Sequence, residues 1–271
     1  MSTSRHLPST DRISILAATI LIAYTLSGLI QLPVRKIAIQ VPGIILLDAE
    51  ISIHTIVALL VAGVTAAGTN LLIREHPNRK DQNLIQHWLF PALTAWVIGV
   101  PLSQQDPGNL WWLGIGLGGG VLVLVLIAEY IVVDPDDIRY VPATIGLSAV
   151  SFALFLILVI TLRTMEFRLF LMLPAITISI GLVSLRTLNL QLRGNWAIVP
   201  TAVIMLITSQ IAAALHYLPI KPITFGLILL GPAYALTSFV GGLVEKKEWR
   251  KIISEPIVII IVVWIAALWV E

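Results

Sequence analysis

The chain has 271 residues, 58% of them hydrophobic and only 12% charged, with a mean hydropathy of +0.95 and a formal net charge of +2. Soluble domains carry about a quarter of their residues as charges, so this composition excludes a water-facing surface and calls for a lipid-facing one. In lipid the backbone must be satisfied within helices or a closed barrel, and the long unbroken apolar runs exclude the short alternating segments of a barrel.

The expected architecture is an all-α, polytopic membrane bundle, a single domain over residues 1–271 with about nine transmembrane helices and short loops. Met1–Arg12 is polar, and the next apolar run is too long for a signal peptide and has no clear small-residue cleavage site. Ile13–Leu32 is therefore the first span. Pro33–Ser52 follows as the only sizeable external segment. Within it Lys36–Val41 and Ile44–Ile51 flank Pro42-Gly43 with partial alternation, which predicts a small external hairpin between the first two helices. The uniformly apolar Ile44–Leu47 also fits an interfacial segment.

The next spans are His54–Ile73, Leu84–Leu102 and Leu110–Val133, the last stopped by Asp134-Pro135-Asp136-Asp137. Thr144–Leu162, Arg168–Leu185, Trp196–Leu215, Pro222–Val244 and Pro256–Val270 complete the set, with Trp88 and Trp269 near span ends, as suits the membrane interface. Glu245–Glu255 places Lys246, Lys247, Arg250 and Lys251 around Trp249, a predicted short amphipathic connector on anionic inner-leaflet lipid.

Alternate loops carry twelve lysines and arginines on one side, Arg186 among them, against five on the other. The positive-inside rule then predicts a cytoplasmic N-terminus and an external C-terminus in a prokaryotic plasma membrane. No basic patch has the interleaved aromatics of a nucleic-acid interface. Cysteine is absent, which excludes disulfides, thiolate catalysis and cysteine-held metals.

Pro142 and Pro200 are 58 residues apart, as are Pro174 and Pro232. At that offset Val141, Ser151, Leu171, Ala175 and Leu185 meet identical residue types, which suggests parallel helical-hairpin repeats over residues 142–185 and 200–243.

Glu129 is the first candidate for chemistry, because an ionisable side chain inside a span is costly. At 100° per residue it shares a helix face with Gly114 and Gly118, a small-residue pair of the kind that packs against a neighbouring helix. That points the acid inward as a proton-coupling group. The competing reading lets it reach headgroup water, since it lies about one turn from the helix end. Pro174 and Gly231-Pro232 are predicted helix breaks, the feature that marks binding sites in transporters, or else ordinary kinks. Asn70 and Gln210 are further candidate polar positions, Asn70 at a cytoplasmic mouth with Glu129 and Asp134–Asp137. His54 and His216 lack a third ligand, so neither a metal nor a cofactor is expected.

No Gly-x-Ser-x-Gly, His-Glu-x-x-His or phosphate-binding glycine loop occurs, which argues against an enzyme. Nine spans with an internal N-terminus are shared with intramembrane prenyltransferases. Their paired aspartate-rich spacing is not reproduced by Asn70–Asp81 and Asp134–Asp137, and that identity is excluded. The reading is a secondary-transport-like protein or a membrane subunit of a larger assembly, with the bilayer, a homo-oligomer or another membrane protein as partner. The alternative is a lipid-modifying enzyme with a polar site at the cytoplasmic mouth.

Overall fold

The computed structural model describes residues 10–29, 35–41, 44–51, 53–74, 85–192, 194–245 and 248–270. Nine helices occur among them: α1 (Thr10–Leu29), α2 (Ile53–Arg74), α3 (Ile85–Leu102), α4 (Asn109–Val132), α5 (Tyr140–Thr164), α6 (Leu169–Gln191), α7 (Ile198–His216), α8 (Pro222–Val244) and α9 (Trp249–Val270). Eight are long and apolar enough to cross a membrane, so the chain is a multi-pass integral membrane protein. The ninth, α3, has 18 residues and is enclosed on nearly every side. It packs against α1, α2, α4, α5 and α6.

Between α1 and α2, β1 (Arg35–Val41) pairs antiparallel with β2 (Ile44–Ile51), setting Arg35 opposite Ile51 and Lys36 opposite Glu50. The expected hairpin is therefore present. Its Pro42-Gly43 turn lies outside the described residues.

Three boundaries depart from expectation by four residues or more, each where a polar residue finds a partner. Helix α6 continues six residues past Leu185, because Arg186 and Asn189 are paired within the bundle instead of facing water. Arg186 thus leaves the loop-charge tally, which becomes eleven against five and keeps its sign. Helix α5 opens at Tyr140, whose hydroxyl donates to the Leu190 carbonyl at 3.3 Å. The predicted connector over Glu245–Glu255 is corrected: α9 starts at Trp249 and runs through Pro256. Arg250 and Lys251 are thus exposed in its first turn, with Lys251 Nζ 3.3 Å from Glu248 Oε2. Lys246 and Lys247 lie outside the described residues.

The main core is built from α3 to α8 around Phe90, Phe155, Leu158, Ile176 and Phe225, and a second cluster joins α1 and α2 to α3 and α4 through Ile20, Val61, Ala95 and Leu122. At the face where α5 and α7 end, Arg163 donates to the carbonyls of His216 (2.7 Å) and Leu218 (2.8 Å). Its guanidinium lies 5.1 Å above the Phe225 ring. One cation thereby satisfies carbonyls that the end of α7 leaves without intrahelical donors.

Of the two readings of Pro174 and Gly231-Pro232, a break or an ordinary kink, the break is corrected, since α6 and α8 run through them without interruption. Pro232 has no N–H to offer the Ile228 carbonyl one turn earlier. The Trp264 indole N–H of α9 donates to that carbonyl instead, at 3.4 Å. Gly231 makes room for the indole, because a Cβ there would lie 3.2 Å from Trp264 Nε1. A neighbouring helix has repaired the proline's defect.

Two outcomes follow for the purified protein in detergent, read by thermal or denaturant unfolding. Trp264→Phe lowers stability by about 0.6 kcal/mol, typical of an interhelical hydrogen bond in a membrane. The loss shrinks in a Pro232→Ala background, where the helix satisfies its own carbonyl. Gly28 lies directly against the fully buried Trp111 indole, whereas Gly116 faces open space. Gly28→Ala therefore costs about 1–3 kcal/mol by overpacking, and Gly116→Ala costs nothing measurable.

Candidate functional site

Helices α3 and α4 run antiparallel with a matched register. A Cβ on Gly114 would lie 3.0 Å from Leu102 Cδ2, and one on Gly118 would lie 2.6 Å from Ile98 Cγ2. Eleven residues further along α4, Glu129 meets His87, which is eleven residues back along α3 from Ile98. The glycines and the acid thus face the same neighbour. Two missing side chains let α4 lie close to α3, and that closeness carries Glu129 into the interior.

There Glu129 is 0% exposed, His87 3%, Arg186 4% and Asn189 2%, figures that leave no role for headgroup water as the acid's partner. Arg186 grips the carboxylate with both arms of its fork: Nε donates to Oε1 at 2.9 Å and Nη2 donates to Oε2. Nη1 donates to Asn189 Oδ1 at 3.0 Å. His87 Nδ1 lies 3.1 Å from Glu129 Oε2 and 3.3 Å from Arg186 Nη2, while Gln86 Nε2 lies 3.3 Å from the other ring nitrogen. In the tautomer in which the Gln86 amide donates to His87 Nε2, the Nδ1–H donates to the carboxylate.

Each part is held by its helix end. His87 lies in the first turn of α3, Glu129 in the last turn of α4 and Arg186 near the end of α6, so the cluster sits roughly one turn inside one face of the bundle. Helix α6 terminates on Gly194, whose φ of 97° is left-handed and whose N–H donates to the Asn189 carbonyl at 2.9 Å. Asn189 Nδ2 in turn donates to the Asn195 carbonyl at 3.4 Å, which ties the cluster to the α6–α7 loop.

The expected mouth built from Asn70, Glu129 and Asp134–Asp137 does not assemble in that form. Asp134 Oδ1 accepts from the Asp136 N–H at 3.1 Å. Asp137 Oδ1 accepts from the backbone N–H (2.8 Å) and Nε (3.1 Å) of Arg139, and its Oδ2 accepts from Nη2 (2.9 Å). That hydrogen bonding to Asp137 holds the Arg139 guanidinium above its ordinary pKa. The acidic stretch thus organises the α4–α5 turn. Asn70 is half-buried on α2, and no hydrogen bond joins it to Glu129. Gln210 is exposed on the outside of α7 and Pro174 on the outside of α6, both away from the cluster.

His87, Arg186, Asn189 and Gln86 were not singled out by the sequence. The available signal was the Arg186–Asn189 spacing of three, which puts both on one face if α6 is carried past Leu185. The cluster is a poor cation site, because the guanidinium fork already takes both carboxylate oxygens. An imidazole against a carboxylate, beside a fixed positive charge, is an arrangement able to hold or relay a proton.

Removing one partner strands the other as a buried charge, so Glu129→Leu or Arg186→Met alone costs about 3–5 kcal/mol of stability. The double variant recovers most of that loss. Thermal unfolding of the three proteins in one detergent checks the cycle, and additive losses would mean that the two residues act independently.

Neither a curated protein nor a solved structure matches this chain. A family model described as Protein of unknown function (DUF5656) matches residues 32–270. Covering most of the sequence, the match makes the chain a member of that family.

Proposed function

We propose that the protein is secondary-transport-like and that the Glu129–Arg186–His87 junction is its proton-sensitive element. The observation that carries this reading is the complete enclosure of two opposite charges and an imidazole at the meeting of three helices. Burying such a pair costs several kcal/mol per ion, and an apolar replacement of similar volume is often at least as stable. An intramembrane ion pair is therefore a functional feature by default.

The residues supply a simple cycle. Glu129 Oε2 takes a proton that enters from outside the bundle, with His87 as the relay beside it: Nε2 accepts a proton as Nδ1 releases one to the carboxylate. The neutral acid no longer balances Arg186, and the guanidinium is left charged among apolar side chains. The α3–α4–α6 junction then separates until water or a substrate anion reaches Arg186. Low pH favours the open arrangement and high pH the closed one. No nucleotide-binding motif is present, so the driving force would be an ion gradient. The excess of lysine and arginine in loops at the N-terminal side supports a cytoplasmic location for the junction.

A membrane subunit of a larger assembly is the second reading. It is favoured by the bonding of all three Arg186 guanidinium nitrogens and both Glu129 oxygens, which also suits a permanent latch.

Hydrogen–deuterium exchange of the protein in nanodiscs separates the two. Corrected for intrinsic rates, exchange at the junction-side ends of α3, α4 and α6 rises at least about tenfold on acidification in the transport reading. Glu129→Gln shows the raised exchange at every pH. Exchange that ignores both pH and the substitution would sink the coupling role and leave the latch.

A further inference from the structure

We infer that the face opposite the ion-pair junction binds a glycosylated lipid, with one acyl chain in a slot between α3, α4 and α5 and the sugar in a polar basin at the α3–α4 loop. The inference is independent of the junction, which lies near the other ends of α3 and α4.

The slot encloses about 310 Å³ and is lined by apolar residues of α3, by one face of α4 and by Leu154 and Ile157 of α5. Leu113, Leu117 and Ile157 are exposed, so it opens sideways to the bilayer. It exists because Gly114 and Gly118, both in its lining, have no side chains to fill it. Along α4 it runs from Leu110 to Val121, about 16 Å, which is one leaflet's share of a hydrocarbon core about 30 Å thick. Volume over length gives a mean cross-section of about 19 Å². A helix about 10 Å across needs about 80 Å², so the slot suits a single hydrocarbon chain and excludes a neighbouring helix.

Gln105, the polar residue of the slot lining, stands at its loop end. Gln105 and Leu110 also line an open basin that includes Asp106 and Asn109, so slot and basin meet end to end. The side chains of Gln105, Asp106 and Asn109 are exposed and make no hydrogen bond among the described residues. A carboxylate accepts hydrogen bonds, and the two amides both donate and accept. That set complements hydroxyl groups, which are themselves donors and acceptors. A phosphate would meet the Asp106 carboxylate as a like charge. A slot one chain wide, ending in a carboxylate and two amides, thus matches the tail and the hydroxyl-rich head of a glycolipid.

Native mass spectrometry of the full chain tests the assignment, with the protein released from vesicles holding equal amounts of monoglucosyldiacylglycerol, phosphatidylethanolamine and phosphatidylglycerol with identical acyl chains. The unmodified protein retains the glucolipid over each phospholipid by roughly tenfold, the weight of one or two net hydrogen bonds. Asp106→Ala/Asn109→Ala brings the ratios to near parity. Leu113→Trp and Ile157→Trp narrow the slot from α4 and from α5. Each lowers retention of all three lipids by at least about fourfold, the equivalent of one buried methylene group. All four positions are exposed, so these substitutions spare the fold, and an unchanged melting temperature checks this. Parity in the unmodified protein, or a preference for either phospholipid, overturns the inference. So do unchanged ratios in the Asp106/Asn109 variant, and so does undiminished retention in both tryptophan variants.

Discussion

The ion pair between Glu129 and Arg186 is the constraint to which the rest of this bundle is fitted. Two charges inside an apolar protein are tolerable only when each neutralises the other and every remaining donor and acceptor is used. The bidentate fork, the His87 contact and the Asn189 carbonyl oxygen of the side chain meet that demand. The consequences reach into local structure. Helix α6 has to continue to Gln191 to carry Arg186 inside, and Gly194 then turns the chain sharply so that Asn189 can tie the loop to the cluster.

Helix α3 makes this arrangement possible. It is the shortest helix among the described residues and the most enclosed, with buried Gln86, His87 and Thr94 alongside Phe90, Leu93 and Val97. A helix in contact with lipid would expose its polar residues at considerable cost, whereas one ringed by five others can pair them. Two hydroxyl pairs also cross between helices, Thr177 with Ser209 at 2.6 Å and Ser184 with Thr237 at 3.2 Å. Such bonds are worth well under 2 kcal/mol in a membrane. Among the described residues the buried ion pair is the one at the α3–α4–α6 junction.

The prolines bear on the same question. Pro232 does not break α8, because the Trp264 indole supplies the missing donor and Gly231 gives it room. Helices α6 and α8 are continuous through Pro174 and Pro232.

Much of the architecture was legible without coordinates. Hydropathy and length placed the spans, because a lipid environment enforces helices on any apolar run of that size. Alternation placed the two strands of the hairpin. Periodicity put Glu129 on the face of Gly114 and Gly118, since helical geometry is local and needs no partner to be known. What hydropathy could not reveal was a charge made acceptable by a distant counter-charge. Arg186 read as a loop residue because its partner lies 57 residues away in sequence, and His87 lies 42 residues from the same acid. Only the packing of α3, α4 and α6 brings them together, and only that packing separates a carboxylate in headgroup water from one sealed in an ion pair. The sequence by itself determined which segments form membrane-length helices and which way Glu129 points. The tertiary structure decided what it meets there, because neutralisation is a property of two side chains and belongs to neither segment alone.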